Sequence, residues 1–346
     1  MNLGLEHVPR CLFCGAEGLW LHRDLRDPRY GAPGLYHLRK CPRCNLAWLD
    51  PRPDPASLSL CYKGYYTHLP ISAGTEGPER RCLGYLRDCI RTAILCGHFG
   101  YRGNHGKHAL CRLGALMGRV RFLRHRAAFD DLAERFPRFA NGPDNLLIDV
   151  GCGRGDFLAR MKTLGWNVLG IEPDPVSSDI ARARGIPVFN GTLGDARLDG
   201  DTADEISMNH VLEHVYDPLS LLKECCRVLR PGGRLVLHIP NIASLGHRIF
   251  GRHWAALEPP RHFFHFSPRS IDAVLRLSPF RDYRIRTVDK ISAGIYDTSV
   301  ALRDDSLRGN TEAQRRRGRG LFRAMERYLC AAGLSVGEEI EVAAFK

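Results

Sequence analysis

The chain has 346 residues, 44% hydrophobic and 25% charged, a globular composition long enough for more than one unit. It holds no run of about 18 apolar residues, which excludes an apolar spanning helix. The opening "MNLGLEHVPRC" lacks the basic-then-apolar pattern of a signal peptide, so its thirteen cysteines are expected as thiols or metal ligands rather than disulfides.

Residues 1–66 are rich in Cys, Pro and Gly and carry two CxxC pairs, Cys11/Cys14 and Cys41/Cys44, separated by 26 residues. Four thiolates so arranged can close a tetrahedral zinc site, which predicts a zinc ribbon with a structural metal. The competing readings are unrelated thiols, or a redox pair on a βα turn that the sequence does not supply. Residues 67–140 read as a basic helical connector, with "YLRDCIRTAIL" and "LGALMGRVRFLRHRAAFDDLAERF" as helices around a Gly/His stretch. Segment 80–126 carries eleven Lys or Arg against one acid, Asp88, which accounts for most of the net charge of +12. Leu83, Leu86, Ile90 and Ile94 recur at helical spacing there. The segment reads either as a solvated basic face or as a patch for an anionic membrane surface. Nucleic acid is the third option.

Residues 141–280 alternate strand and helix. "LLIDV", "NVLGIEP", "IPVFNG", "ADEISMNH" and "GRLVLHIPN" predict strands, the last after a turn at "RPGG". "GDFLARMKTLG", "DPVSSDIARARG", "PLSLLKECCRVLR" and "SPRSIDAVLRL" predict helices. This order implies an α/β fold with a doubly wound, Rossmann-like sheet and a ligand at the carboxyl ends of its strands. Residues 281–346 read as a C-terminal extension completing that sheet. An amphipathic helix is expected near 311–331 and an edge strand at "EEIEVAAFK", with "QRRRGRG" at 314–320 as a solvated basic loop.

The stretch "LLIDVGCGRGDFL" decides between cofactors. A dinucleotide turn needs G-x-G-x-x-G, but the third glycine position is held by Asp156. The glycines are instead Gly151, Gly153 and Gly155, where missing Cβ atoms allow close approach of a ligand. With Glu172 ending the next strand, and with "NHVLEHVYDP" and "VLRPGGRLVL", the pattern resembles the class I S-adenosylmethionine-dependent methyltransferases. Within that class it is similar to the subfamily of ubiquinone-biosynthesis O-methyltransferases and polysaccharide-cluster enzymes. The resemblance covers about 140–275. It implies that Asp149, Gly151, Gly153 and Gly155 line the methionine end of S-adenosyl-L-methionine and that Glu172 takes the ribose hydroxyls. It further implies that Gly191, Thr192 and Leu193 lie at the adenine edge and that Asn209 lies near the methyl group. Many members carry an acid directly after the leucine, where Gly194 stands here. "NLAWLDPRP" and "CYKGYY" resemble the zinc-binding domain that precedes the catalytic domain in a set of bacterial methyltransferases, which agrees with Zn(2+) at the four cysteines.

"HVLEH" and "PPRHFFHFSP" bring several histidines into play. Small-RNA 2′-O-methyltransferases and some ubiquinone-pathway enzymes use a similar ExxEH layout to hold a divalent metal, but His210 replaces the first acid here. The expectation is that His210 or His262 serves as general base, since methyl transfer to oxygen needs a proton acceptor. The resulting picture is a cytoplasmic methyltransferase, peripheral to the inner face of the membrane if the basic segment meets lipid. Its acceptor is a small molecule, a glycan or a lipid-linked compound. The alternatives are an RNA 2′-O-methyltransferase, although no aromatic-rich RNA module is visible, and a non-catalytic assembly protein holding zinc and cofactor.

Overall fold

The computed structural model describes residues 3–62, 93–95, 101, 116, 144–304 and 312–346. The expected basic connector at 67–140, and with it the 80–126 patch, otherwise lies outside the described residues. Compact packing divides the chain into two units. One comprises Met1–Tyr66, Met208–Arg227 and Arg234–Lys346, the other Thr67–Ser207 and Val228–Gly233.

The N-terminal segment carries β1 (Leu5–Glu6), β2 (Leu19–Leu25), β3 (Tyr36–Lys40), β4 (Ala47–Leu49), β5 (Arg52–Pro53) and a 3-10 turn at Leu58–Tyr62. Strand and helix then alternate: β6 (Leu146–Val150), α1 (Asp156–Thr163), β7 (Asn167–Glu172), α2 (Pro175–Ala183), β8 (Val188–Asn190) and β9 (Ala203–Asn209). A 3-10 turn at Leu212–His214 leads to α3 (Pro218–Val228), β10 (Leu229–Pro240), α4 (Leu245–Phe250), β11 (Phe264–His265) and α5 (Pro268–Leu277). The chain closes with β12 (Asp282–Val288), α6 (Ser292–Asp304), α7 (Glu312–Ala331) and β13 (Glu339–Phe345). Among the described residues no helix is long and apolar enough to cross a membrane.

The large sheet has the order β12-β13-β10-β9-β6-β7-β8. β6 pairs with β7 and β7 with β8 in parallel, while β13 runs antiparallel to both β10 and β12. This is the expected doubly wound α/β fold, a Rossmann-like sheet. β13, however, is an interior strand, not an edge. Its acids suggested solvent, yet Glu339 and Glu341 are buried, as are Glu338 just before the strand and Ile340, Val342 and Ala344 within it. "RPGG" also departs from expectation: it runs inside β10, with Pro231 and Gly232 exposed.

Local chemistry sets the helix starts. Asp174 caps α2, accepting from the Ser177 amide at 2.8 Å, with Pro175 as first helical residue. Ser267 and Ser270 form a reciprocal capping box at α5. The basic stretch 314–320 is helical, in the first turns of α7 rather than a loop. Gly318 lets this helix pack closely on α6, because a Cβ there would meet the Tyr296 hydroxyl at 2.0 Å.

Behind the glycine turn, Leu147, Leu158, Met161, Trp166 and Val168 pack with Leu95 and Tyr101. The Trp166 indole donates to the Tyr101 hydroxyl at 3.1 Å. In the other unit the ribbon strands form an antiparallel sheet of order β11-β4-β3-β2, so a strand from beyond residue 260 completes it.

Candidate active site

The glycine turn leaves β6 and enters α1 through three left-handed residues, Gly151 (φ 71°), Gly153 (φ 53°) and Gly155 (φ 75°). Only glycine adopts this conformation without strain. Gly155 also allows close packing, since a Cβ there would lie 3.1 Å from that of Ala181. Gly153 differs, because a Cβ there would meet nothing within 4 Å. Its open side is a cradle. Glu172, buried at the end of β7, fixes the turn: one carboxylate oxygen accepts from the Gly153 amide at 2.8 Å and the other from the Asp174 amide at 2.9 Å. Asp149 is buried and accepts from the Ser207 hydroxyl at 2.6 Å. Arg184 braces the outside of the turn, donating to the Arg154 carbonyl at 2.7 Å and to Asp156 at 2.6 Å.

The Gly191 amide donates to the Glu172 carbonyl at 3.0 Å, so the loop holding Gly191, Thr192 and Leu193 starts beside the acid. Leu193 is buried. Thr192 donates through its hydroxyl to Asp195 at 2.5 Å and through its amide at 3.0 Å, and these bonds hold the Asp195 carboxyl below its ordinary pKa. Sequence reasoning missed Asp195. It looked for an acid at position 194, and the signal was the Thr192-to-Asp195 spacing.

Asn209 closes β9 in the other unit and His210 follows in a left-handed conformation (φ 55°). The His210 ring lies between two buried carboxylates, with Nδ1 3.2 Å from Glu213 Oε1 and Nε2 3.0 Å from Glu339 Oε1. Burial opposes its charge, but the bonds to Glu213 and Glu339 win and raise its pKa to about 10. Burial likewise pushes Glu213 upward, yet His210 outweighs it and keeps that carboxyl low.

His214 and His262 meet edge to face, ring centroids 4.6 Å apart. His214 Nδ1 lies 3.0 Å from the Arg261 carbonyl and 3.0 Å from the Tyr62 hydroxyl. His262 Nδ1 lies 2.9 Å from the Ala256 carbonyl. A carbonyl only accepts, so these bonds assign the proton to Nδ1 in both rings and leave Nε2 with a lone pair. Glu213 Oε2 is buried with no hydrogen-bond partner among the described residues. Glu213, His214 and His262 each offer a ligand atom, all within 4.8 Å of one another. Burial, then the neighbouring His214, lowers the His262 pKa to about 3.

These surroundings work against the expected base role of both histidines. Glu213 and Glu339 favour the charged form of His210, and burial disfavours the charged form of His262. Neither limit is visible without the partners. Glu339 lies 129 residues from His210 in sequence. Its signal was a pair of acids opening an apolar strand.

The segment bearing His262 is anchored by Arg261, a fully buried guanidinium. It donates to both Asp27 oxygens at 2.8 and 3.1 Å, to Glu258 at 3.0 Å and to the Cys61 carbonyl at 3.0 Å. Asp27 also accepts from the amides of Arg29, Tyr30 and Ala32. Burial raises the Asp27 carboxyl, but Arg261 and these amides together hold it below its usual range.

In the ribbon, the Sγ atoms of Cys11 and Cys44 are 3.6 Å apart and those of Cys14 and Cys41 are 3.3 Å apart. The two knuckles repeat one geometry: Gly15 and Asn45 are left-handed and donate to the carbonyls of Cys11 and Cys41 at 2.9 and 3.1 Å. Arg43 and Cys44 amides point at Cys41 Sγ, each at 3.4 Å, as suits a thiolate. Four convergent sulfurs suit tetrahedral zinc.

Residues 121–282 match the family described as "Methyltransferase domain". The human mitochondrial ubiquinone biosynthesis O-methyltransferase is 30% identical over 179 residues, covering 45% of this chain and 46% of that protein. The ubiquinone biosynthesis O-methyltransferase of Cereibacter sphaeroides is 34% identical over 116 residues, covering 31% and 47%. A solved S-adenosylmethionine-dependent methyltransferase from Archaeoglobus fulgidus is similar with a TM-score of 0.43 at 18% identity, covering 69% of this chain and 100% of that one. The chain thus spans about half the length of the curated relatives it matches.

Proposed function

We propose that this chain, whose residues 121–282 belong to the methyltransferase-domain family, is an S-adenosyl-L-methionine-dependent methyltransferase acting on oxygen. Its acceptor is a small molecule, a glycan or a lipid-linked compound. The carrying observation is the Glu172 carboxylate bonded to the Gly153 amide, beside a glycine whose absent side chain opens a cradle. In this reading Asp149, Gly151, Gly153 and Gly155 hold the methionine end. Glu172 takes the ribose hydroxyls, and Gly191, Thr192 and Leu193 meet the adenine with Asp195 as the nearby acid. The acceptor oxygen attacks the methyl carbon in line, the C–S bond breaks, and S-adenosylhomocysteine leaves. Oxygen is favoured because the relatives named above are O-methyltransferases.

The segment boundaries 1–66, 67–140, 141–280 and 281–346 belong to the same reading. So do a cytoplasmic location and contact of 80–126 with an anionic surface. Zn(2+) held by Cys11, Cys14, Cys41 and Cys44 is structural, since four thiolates leave no open position. Elemental analysis of protein purified without added metal should find zinc, lost together with stability in Cys41→Ser.

The second cluster fits a divalent cation. Glu213 Oε2 is buried without a partner, and the Nδ1 bonds of His214 and His262 leave both Nε2 lone pairs for a ligand. A His2Glu donor set suits zinc, iron or manganese better than magnesium. A cation there would act as a Lewis acid on the acceptor hydroxyl. His210, charged and clamped by Glu213 and Glu339, steadies the carboxylate. Arg261 holds the segment carrying His262.

The test is methyl transfer from labelled cofactor into cell fractions holding lipid-linked glycans, RNA and small metabolites. Label in RNA would favour the 2′-O-methyltransferase alternative. No transfer, with no affinity for S-adenosylhomocysteine, would end the reading. Chelation should abolish turnover and a divalent ion restore it, while His262→Ala should lose one metal equivalent and keep the ribbon zinc.

A further inference from the structure

α7 is pinned by one face. Phe322 is buried, its ring centroid 5.3 Å from that of Tyr296 and 6.4 Å from that of Phe250. Glu326 is buried and accepts from the Glu338 amide at 2.9 Å. Arg319 reaches Asp297 at 2.5 Å and Arg327 reaches Asp289 at 2.6 Å. These contacts fix the rotation of the helix, so its opposite face cannot turn inward.

That opposite face is apolar where water would favour polar side chains. Leu321, Met325 and Tyr328, spaced four and three residues apart, are 65%, 44% and 74% exposed, and Leu334 just beyond the helix is 51% exposed. Residues at this spacing form one stripe. Small exposed alanines, not charges, fill the gaps. The stripe continues toward the helix N-terminus into Arg317, four residues before Leu321, and Arg316 is exposed on the flank beside it. A contiguous exposed apolar stripe of this kind marks a docking surface.

We propose that this face of α7 docks the protein on an anionic phospholipid bilayer. The helix lies in the plane of the surface. Leu321, Met325 and Leu334 enter the headgroup–acyl boundary, Tyr328 sits at the interface, and Arg316 and Arg317 pair with lipid phosphates. Apolar stripe and arginines together select this occupant. A nucleic acid would satisfy the arginines and leave Leu321 and Met325 in water. A second copy would bury the stripe and leave the arginines without anions. The inference does not rest on the methyl-transfer reading.

The experiment is co-sedimentation of the full chain with vesicles of phosphatidylcholine alone or mixed equally with phosphatidylglycerol. Binding to the mixed vesicles only, weakened by salt, is expected. Leu321→Glu with Met325→Glu should weaken partition roughly 10- to 100-fold. Arg316→Ala with Arg317→Ala should weaken it roughly 30-fold, at about 1 kcal/mol per basic residue. Both variants should keep the wild-type thermal midpoint and affinity for S-adenosylhomocysteine, because all four residues are on the surface. Equal binding to neutral vesicles, or none to either, overturns the proposal. So does a dimer in sedimentation velocity that only the glutamate variant dissociates, or retention of single-stranded RNA that only the arginine variant loses.

Discussion

The glycine turn and the histidine–carboxylate cluster are built by opposite means. The turn is a main-chain object: five consecutive residues, three of them left-handed, with the Gly153 amide donating to an acid about twenty residues on. The cluster is a side-chain object. Glu213 and His214 are contiguous, but Tyr62, His262 and Glu339 come from three other stretches, and Arg261 ties one of these to Asp27. A main-chain site fails when a backbone conformation is denied or its space is filled. A side-chain site fails when a distant partner is lost.

The largest effect should therefore come from filling the cradle. Gly153→Val places a branched side chain into open space and strains a residue at φ 53°. Calorimetry with S-adenosylhomocysteine should detect no binding, while the fold survives a strain of about 1–2 kcal/mol. Glu172→Ala should cost about 1.5–3 kcal/mol of affinity, the scale of hydrogen bonds to a charged group. Wild-type affinity in both variants would remove the cofactor from this turn.

Next in size is the anchor of the cluster. Arg261→Met leaves Asp27 buried without its counter-charge and should cost about 3–5 kcal/mol in denaturant unfolding. Adding Asp27→Leu should recover only part, because the amides of Arg29, Tyr30 and Ala32 then lose their acceptor. Full recovery would mean that the ion pair alone matters and the Asp27 turn does not.

The same contrast explains what the sequence discloses. "DVGCGRGD" and Glu172 are legible because glycine spacing reports backbone shape directly, and "CLFC" and "CPRC" because metal knuckles are local. The strand order follows from the βα alternation up to β10. It stops at β13 and the Glu338 before it, whose acids look like solvent-facing residues until Trp254 and the Gly246 amide are seen to meet Glu338 and His210 to meet Glu339. The proton affinities of His210 and His262 are not legible in the sequence because a pKa belongs to an environment: Glu339 reaches His210 from 129 positions away, and His214 reaches His262 from 48. Basic residues at 314–320 look like a loop because Gly318 and Gly320 weaken the helix signal. The contacts of Phe322 and Arg319 override it.

A buried carboxylate gives the third effect. Glu326 lies fully buried, and burial raises its pKa to about 7 from an ordinary 4.5. The folded state then binds more protons than the unfolded state between these values. Stability should fall as pH rises from about 4.5 and level off above about 7, a loss of about 3 kcal/mol from this group. Glu326→Gln keeps an acceptor for the Glu338 amide and removes the titration. Its unfolding free energy should exceed that of wild type at pH 8 and approach it at pH 4.5. A pH profile with the same slope in both proteins would assign the effect elsewhere.

The smallest effect tests whether the turn is truly a main-chain object. Asp174 has two jobs: its side chain caps α2 through the Ser177 amide, and its own amide donates to Glu172. Asp174→Ala deletes the first and leaves the second. Loss of the cap should cost about 1 kcal/mol of stability, read as a lower denaturant midpoint at unchanged slope. Affinity for S-adenosylhomocysteine should stay within about twofold, because a cap acts on the start of the helix and the Glu172 bonds come from backbone amides. A loss of affinity as large as that of Glu172→Ala would show that side chains, not the backbone, hold the turn, and the distinction between the two sites would fall.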